Sequence, residues 1–175
     1  MRELLILAVI LLCAAHAPAG ASESDIAAVL DDFHDAAAHG DRDRYLGHLT
    51  DDAVFMGTDE WERWPKDPEF VDYVKSRFKD GSGWSYRSVD RKIRIADSGD
   101  VAWFDEVVFS ETNGRFRGAG VLVRDGVVVG EGWHRAAGDR WKIAHYAMSF
   151  LVLNENWEEV IELTKKTRAE LDAAE

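Results

Sequence analysis

The apolar residues of this chain change their spacing near Gly81 and Gly83, and that change confines the fold more than any other feature. Upstream, Ile26, Val29, Leu30, Phe33 and Ala37 recur at the i, i+3, i+4, i+7 positions of an amphipathic helix that runs from Ser24 and stops at Gly40. Asp41 is placed to cap a second short helix carrying Tyr45, Leu46 and Leu49, and Ala53 to Met56 reads as a brief strand. After a loop rich in Trp and acid, Asp67 and Pro68 form an N-cap and first-turn pair for a third helix with the stripe Phe70, Val71, Val74 and Phe78. Downstream the period falls to that of a strand, in runs at 84–95, 101–111, 115–124, 127–135 and 141–153. Ser98-Gly99, Asn113-Gly114, Asp125-Gly126 and Gly138-Asp139 separate them with the short turns of an antiparallel meander. Asn156 and Glu159 then make a capping-box-like start for a final helix bearing Trp157, Val160, Ile161 and Leu171.

Helices first and a meander afterwards predict an α+β domain with the helices on one face of the sheet. A length of 175 residues suits a single core. In the run 101–109, Val101, Trp103, Val107 and Phe109 alternate with Ala102, Phe104 and Val108, so both faces are expected to be covered. One lies under the helices. The other most simply meets a second copy of the chain in a homodimer, with the C-terminal helix as the alternative cover.

Leu4 to Ala15 is an apolar run of twelve residues preceded by Arg2 and followed by Ala19-Gly20-Ala21, the pattern of a cleaved secretory signal. Twelve residues rise only about 18 Å as a helix, too short for an ordinary membrane span. The expected organisation is therefore a signal peptide over 1–21, a domain over 22–155 and a C-terminal helix over 156–175, in a periplasmic or secreted protein free of the membrane once the signal is removed. The one cysteine, Cys13, leaves with the signal. A net charge of -12 argues against nucleic acid and anionic lipid as partners, because clustered Lys and Arg are what release counterions.

Five stretches in order then resemble one family. They are Gly57-Thr58-Asp59 with Glu62 and Trp64, Ser82 to Tyr86, Ala102 to Glu106, Arg117 to Val123, and Trp141 to Tyr146. Together they are similar to the SnoaL-like branch of the nuclear transport factor 2-like superfamily. The resemblance implies a cone-shaped α+β barrel, cystatin-like, whose curved sheet and helices enclose a pocket, commonly in a dimer. It does not imply one reaction, since relatives include isomerases, cyclases, dehydratases and domains that only bind or assemble. The departure is at Asp125 to Gly138, where an extra hairpin arm is expected.

Candidate site residues are the polar groups on strands expected to be buried, because such a group needs a partner or a wet cavity. Asp105 and Glu106 are neighbours that point to opposite faces, so only one can line the pocket. With Trp103 and Asp105 inward, Asp105 is the candidate general base, and Arg117 pairs with Asp105 or Glu106 or holds an anionic ligand. His145 shares a face with Trp141 and Ile143, whereas Tyr146 lies opposite and would have to turn inward to support an oxyanion. Glu62 is the other possible partner of Arg117, Trp61 and Trp64 are candidates for the pocket rim, and His134 sits on the extra arm. The acidic cluster Asp31, Asp32 and Asp35 reads as a solvated helix face. Metal-ligand spacing, a mature cysteine, a Gly-x-Ser-x-Gly elbow and a phosphate loop are all missing from the sequence, so no cofactor is expected. Three functions follow: binding of a small apolar or carbonyl-containing molecule, cofactor-free isomerase, cyclase or dehydratase chemistry on Asp105, and non-catalytic assembly.

Overall fold

The first helix, α1 (Glu23–Ala38), begins on a reciprocal cap. The Ser22 hydroxyl accepts from the Asp25 amide at 3.3 Å while the Asp25 carboxylate accepts from the Ser22 amide at 3.0 Å. A computed structural model describes residues 22–124 and 140–174 of the chain, so the expected signal peptide over 1–21, the expected strand at 127–135, the expected arm from Asp125 to Gly138 and His134 lie outside the described residues. The short helix α2 (Arg42–Gly47) is capped as expected, the Asp41 carboxylate accepting from the Arg44 amide.

Two expected caps are not made. Asp67 has an extended backbone (φ -121°, ψ 129°) ahead of a cis bond to Pro68, and the pair belongs to a wide π-type turn, Lys66–Phe70, that leads into α3 (Val71–Arg77). Asn156 caps nothing with its side chain, and a single 3₁₀ turn, Asn154–Asn156, leads into α4 (Trp157–Asp172). Among the described residues, no helix is long and apolar enough to cross a membrane.

The strands are β1 (Leu49–Met56), β2 (Arg63–Pro65), β3 (Arg87–Ile95), β4 (Val101–Ser110), β5 (Gly114–Arg124) and β6 (Trp141–Phe150). They form one six-stranded sheet in the order β2-β1-β6-β5-β4-β3. The meander from β3 to β6 is antiparallel, as its turns predict, and β1 adds alongside β6 in parallel. The sheet is curved and does not close. α1 lies in its concave side, burying Ile26, Leu30, Phe33 and Ala37. Aromatic rings fill that side: Tyr146 lies against Phe55 with centroids 5.4 Å apart and planes 4° off parallel, and Phe55 stacks on Phe70 at 4.4 Å.

One irregularity decides which residues look inward. Val121 pairs with His145 but Leu122 pairs with Ile143, so Ala144 is an extra residue on β6. A bulge of this kind reverses the alternation beyond it. Trp141 and Ile143 therefore face the core, and so does Tyr146, while His145 is turned to the outer side beside Val54 and Val121. Strict alternation would have put His145 inside with Ile143. Deleting Ala144 should swing Tyr146 out of the core. The expected result is a loss of at least about 3 kcal/mol, the scale of removing a large buried side chain, measured by urea unfolding with near-UV circular dichroism.

Candidate functional site

The centre of the concave side holds a carboxylate. Glu106 is 1% exposed, and its β4 neighbours on the same face are Phe104 and Val108. Isolated in such a place its charge would be strongly unfavourable. Three side chains from three elements prevent that. Arg91 on β3, directly opposite in register, donates from Nε to Oε2 at 2.8 Å, and its Nη2 lies 2.8 Å from the same oxygen off the hydrogen-bond angle. His34 Nε2 on α1 lies 2.8 Å from Oε1, and the Tyr146 hydroxyl on β6 donates to Oε1 at 3.0 Å. Arg91 Nη1 reaches back to α1, donating to Asp31 at 2.8 Å and to the Ala27 carbonyl at 3.2 Å.

Burial alone would raise the Glu106 carboxyl, but the His34 and Arg91 contacts outweigh it and hold the value down to about 2. Burial and the adjacent Glu106 charge push the Tyr146 phenol well above its usual value, so it stays a donor. Arg91 is raised: burial opposes its charge, and Glu106 with Asp31 more than compensates. A carboxylate this acidic with both oxygens engaged is a weak base, since a general base works best with a pKa near the operating pH. Tyr146 already directs its proton at Glu106.

Two glycines make the arrangement possible. A Cβ at Gly118 would stand 2.5 Å from the Tyr146 hydroxyl oxygen, and one at Gly120 would stand 2.1 Å from the His145 carbonyl oxygen and 2.9 Å from the Phe104 ring. They lie opposite Glu106 and Phe104 on β5, and the space a side chain would fill is occupied by Tyr146 and Phe104.

The sequence-derived candidates scatter around this centre. Asp105 and Trp103 face outward, not inward; Asp105 pairs in register with Lys92, and Trp103 is 48% exposed. The reason is the strand period: with Phe104 and Glu106 inside, their neighbours must be outside. Arg117 is also on the outer face, exposed, opposite Val107 and Ser149, and the buried carboxylate takes Arg91 as its partner instead. Glu62 closes its own loop, accepting from the Thr58 and Asp59 amides at 2.8 and 3.1 Å. Trp64 is core, stacked on Tyr73 at 4.4 Å. Of the expected set, Glu106 and Tyr146 come together; Asp105 and His145 lie on the other side of the sheet, two strands apart. His34 and Arg91 were missed. The clue to them was the pair of glycines opposite Glu106 and Phe104, which marks the tightly packed face.

The acidic cluster on α1 is likewise more than a solvated face. Asp31 holds Arg91, Asp32 accepts from Arg44 Nε at 3.1 Å and lies 2.7 Å from His48 Nε2, and Asp35 lies 2.7 Å from Arg44 Nη1. The Arg44 hydrogen bond lowers the Asp32 carboxyl. Burial lowers the His48 imidazole against the opposing pull of Asp32. Among the described residues, no group of three or more His, Cys, Asp or Glu side chains is placed to hold a metal ion.

With the fold and this centre in view, the comparisons with known proteins are specific. Residues 26–153 match the SnoaL-like domain. The chain belongs to the SnoaL-like domain family. No curated protein sequence matches it. Among solved structures, this SnoaL-like chain is similar to an NTF2-like protein of unknown function from Pseudomonas putida KT2440, with 15% identity, a TM-score of 0.58, and 77% of this chain and 89% of that one covered. It is also similar to a protein from Parabacteroides distasonis ATCC 8503 described as a "putative ketosteroid isomerase" (12% identity, TM-score 0.54, 72% and 85% covered). A third is a "Putative calcium/calmodulin dependent protein kinase II association domain" from Xanthomonas campestris (16% identity, TM-score 0.52, 77% and 91% covered). At these identities the likeness is one of fold: a nuclear transport factor 2-like, cystatin-like α+β architecture.

Two outcomes are expected of the SnoaL-like centre. Glu106→Gln removes the buried one of the two counter-charges of Arg91, leaving only the exposed Asp31, and should destabilise the domain by about 3–5 kcal/mol in urea unfolding. Because the folded value of Glu106 lies below the 4.5 of an ordinary glutamate, its stabilisation is complete above 4.5 and is lost as the pH falls toward about 2. The stability gap between wild type and Glu106→Gln should therefore be constant from pH 7 to 5 and narrow below it; a gap that widens on acidification would refute the assignment.

Proposed function

We propose that this SnoaL-like domain works by assembly and not by catalysis, and that the outer face of its sheet is the contact surface for a second copy. One observation carries the reading: the outer face is apolar at its centre and, among the described residues, uncovered. Trp103 is 48% exposed and Met56 38%, and Val107, Ala119, Val121 and Ala147 between them are only half-buried. An exposed apolar patch of this sort, with a Trp near the middle and Arg at its edge, has the composition of an interface core and its hot spots. The inner side supports the same reading from the opposite direction, since Glu106, Arg91, His34 and Tyr146 are engaged with one another and none of the four is left poised as a base or oxyanion donor for a substrate carbonyl. The Xanthomonas campestris protein, whose description is that of an association domain, shares this fold.

The leader-like sequence over 1–21 supports a periplasmic or secreted setting for this assembly; N-terminal sequencing of the exported protein checks it by a start at Ser22. Placing a charge at the centre of the face tests the function. Trp103→Asp should weaken self-association by about a hundredfold or more in sedimentation velocity, the loss of a hot-spot aromatic, while leaving the far-UV circular dichroism spectrum of the folded chain unchanged. Asp105→Asn, at the same face but polar, should change association far less. A wild-type chain that sediments as a monomer sinks the reading.

A further inference from the structure

A second surface of this molecule is as exposed as the outer sheet face, and it has the opposite charge. No residue of α4 is buried, although Trp157, Val160, Ile161, Thr164 and Leu171 fall on one stripe at helical spacing. Trp157 is 56% exposed and Leu171 58%. An isolated 16-residue helix with such a stripe is marginal in water and needs a partner for it.

The charges say which partner. All three cations of α4 are neutralised within the chain: Lys165 by Glu162, Lys166 by Glu170, and Arg168 by Glu60. Glu155, Glu158 and Glu159, which flank Trp157, have no cationic partner among the described residues. The outer sheet face is their complement. In a chain of net charge -12, it carries Arg87, Lys92, Arg94, Arg115 and Arg117 against Asp90 and Asp105. Lys92 is taken by Asp90, and Arg87 lies over the Phe109 ring, but Arg115 and Arg117 are exposed with no carboxylate partner among the described residues. The dimensions agree as well. Sixteen helical residues span about 24 Å, and six strands spaced about 4.8 Å apart are equally wide.

We propose that α4 of each copy docks across the outer sheet face of the other, a reciprocal exchange in which the apolar stripe of α4 runs from Trp157 beside Val107 toward Trp103, and the unpaired Glu155, Glu158 and Glu159 at its start meet Arg115 and Arg117. This rests on the assembly reading above and names the element that fills its surface. An anionic membrane is the poorer occupant for α4, because the acidic flank of the stripe would be repelled by it.

The test is a charge-reversal cycle on the full chain, read as the dimer dissociation constant by sedimentation equilibrium, with far-UV circular dichroism showing that each variant is folded. Arg115→Glu with Arg117→Glu, and separately Glu158→Lys with Glu159→Lys, should each weaken the dimer about tenfold or more, and all four together should recover most of the loss. Trp157→Ala, which leaves every charge in place, should also weaken it. If the helix variants dimerise as the wild type does while Trp103→Asp does not, the sheet faces meet each other directly; the exchange is then overturned and the assembly reading stands. If Trp103→Asp also leaves the dimer intact, both fall.

Discussion

A single buried carboxylate organises this fold. Glu106 sits where water does not reach, and its charge is tolerable only while Arg91, His34 and Tyr146 all point at it. Those side chains come from β3, α1 and β6, so satisfying one group sets the register of β3 against β4, the depth of α1 in the concave side and the facing of β6 together. Arg91 extends the constraint by bonding Asp31 and the Ala27 carbonyl, which ties the sheet to the helix through one guanidinium. Replacing such a set by apolar side chains is often neutral in stability, whereas removing one member is not, and the difference lies in the uncompensated charge left behind. Its contribution is geometric.

The same centre explains why the inner face is poorly equipped for proton transfer. A proton acceptor in a pocket of this family's fold needs a group whose ionisation can change near neutral pH. Here the strongest perturbation runs the other way, holding Glu106 ionised near 2 and Tyr146 protonated. The aromatic stack of Phe33, Phe55, Phe70 and Tyr146 then fills the space around it. What remains unsatisfied on the described surface is apolar and charged area outside the cone: Trp103 with Arg115 and Arg117 on the sheet, Trp157 with its glutamates on α4. Net charge conceals this segregation. A chain that is strongly acidic as a whole carries a basic sheet face, and association depends on local potential more than on the sum.

Much of the architecture was legible in the sequence because it rests on local periodicity. The shift in spacing near Gly81 separates helices from meander, and the turns at Ser98-Gly99 and Asn113-Gly114 fall between strands as expected, with positive φ at Gly99 and Gly114. Asp41 caps α2 because capping needs only neighbours in the chain. The candidate site was legible only in part. Glu106 and Tyr146 were singled out as polar groups on strands, but Asp105 and His145 were singled out with them, since a run such as Val101 to Phe109 is apolar on both sides and does not declare its inner face.

The sequence by itself determined the α+β class, the order of its elements, the short turns of the meander and the presence of ionisable groups on strands. Only the tertiary structure decided sidedness: that Glu106 and not Asp105 lies inside, that the extra residue Ala144 turns Tyr146 in and His145 out, and that Arg91 and His34, remote in sequence, complete the charge. The physical reason is the range of the interactions. Periodicity and capping are settled within a few residues, whereas the facing of a strand apolar on both sides is settled by where a buried charge finds its partners, and those are supplied by other strands and by a helix.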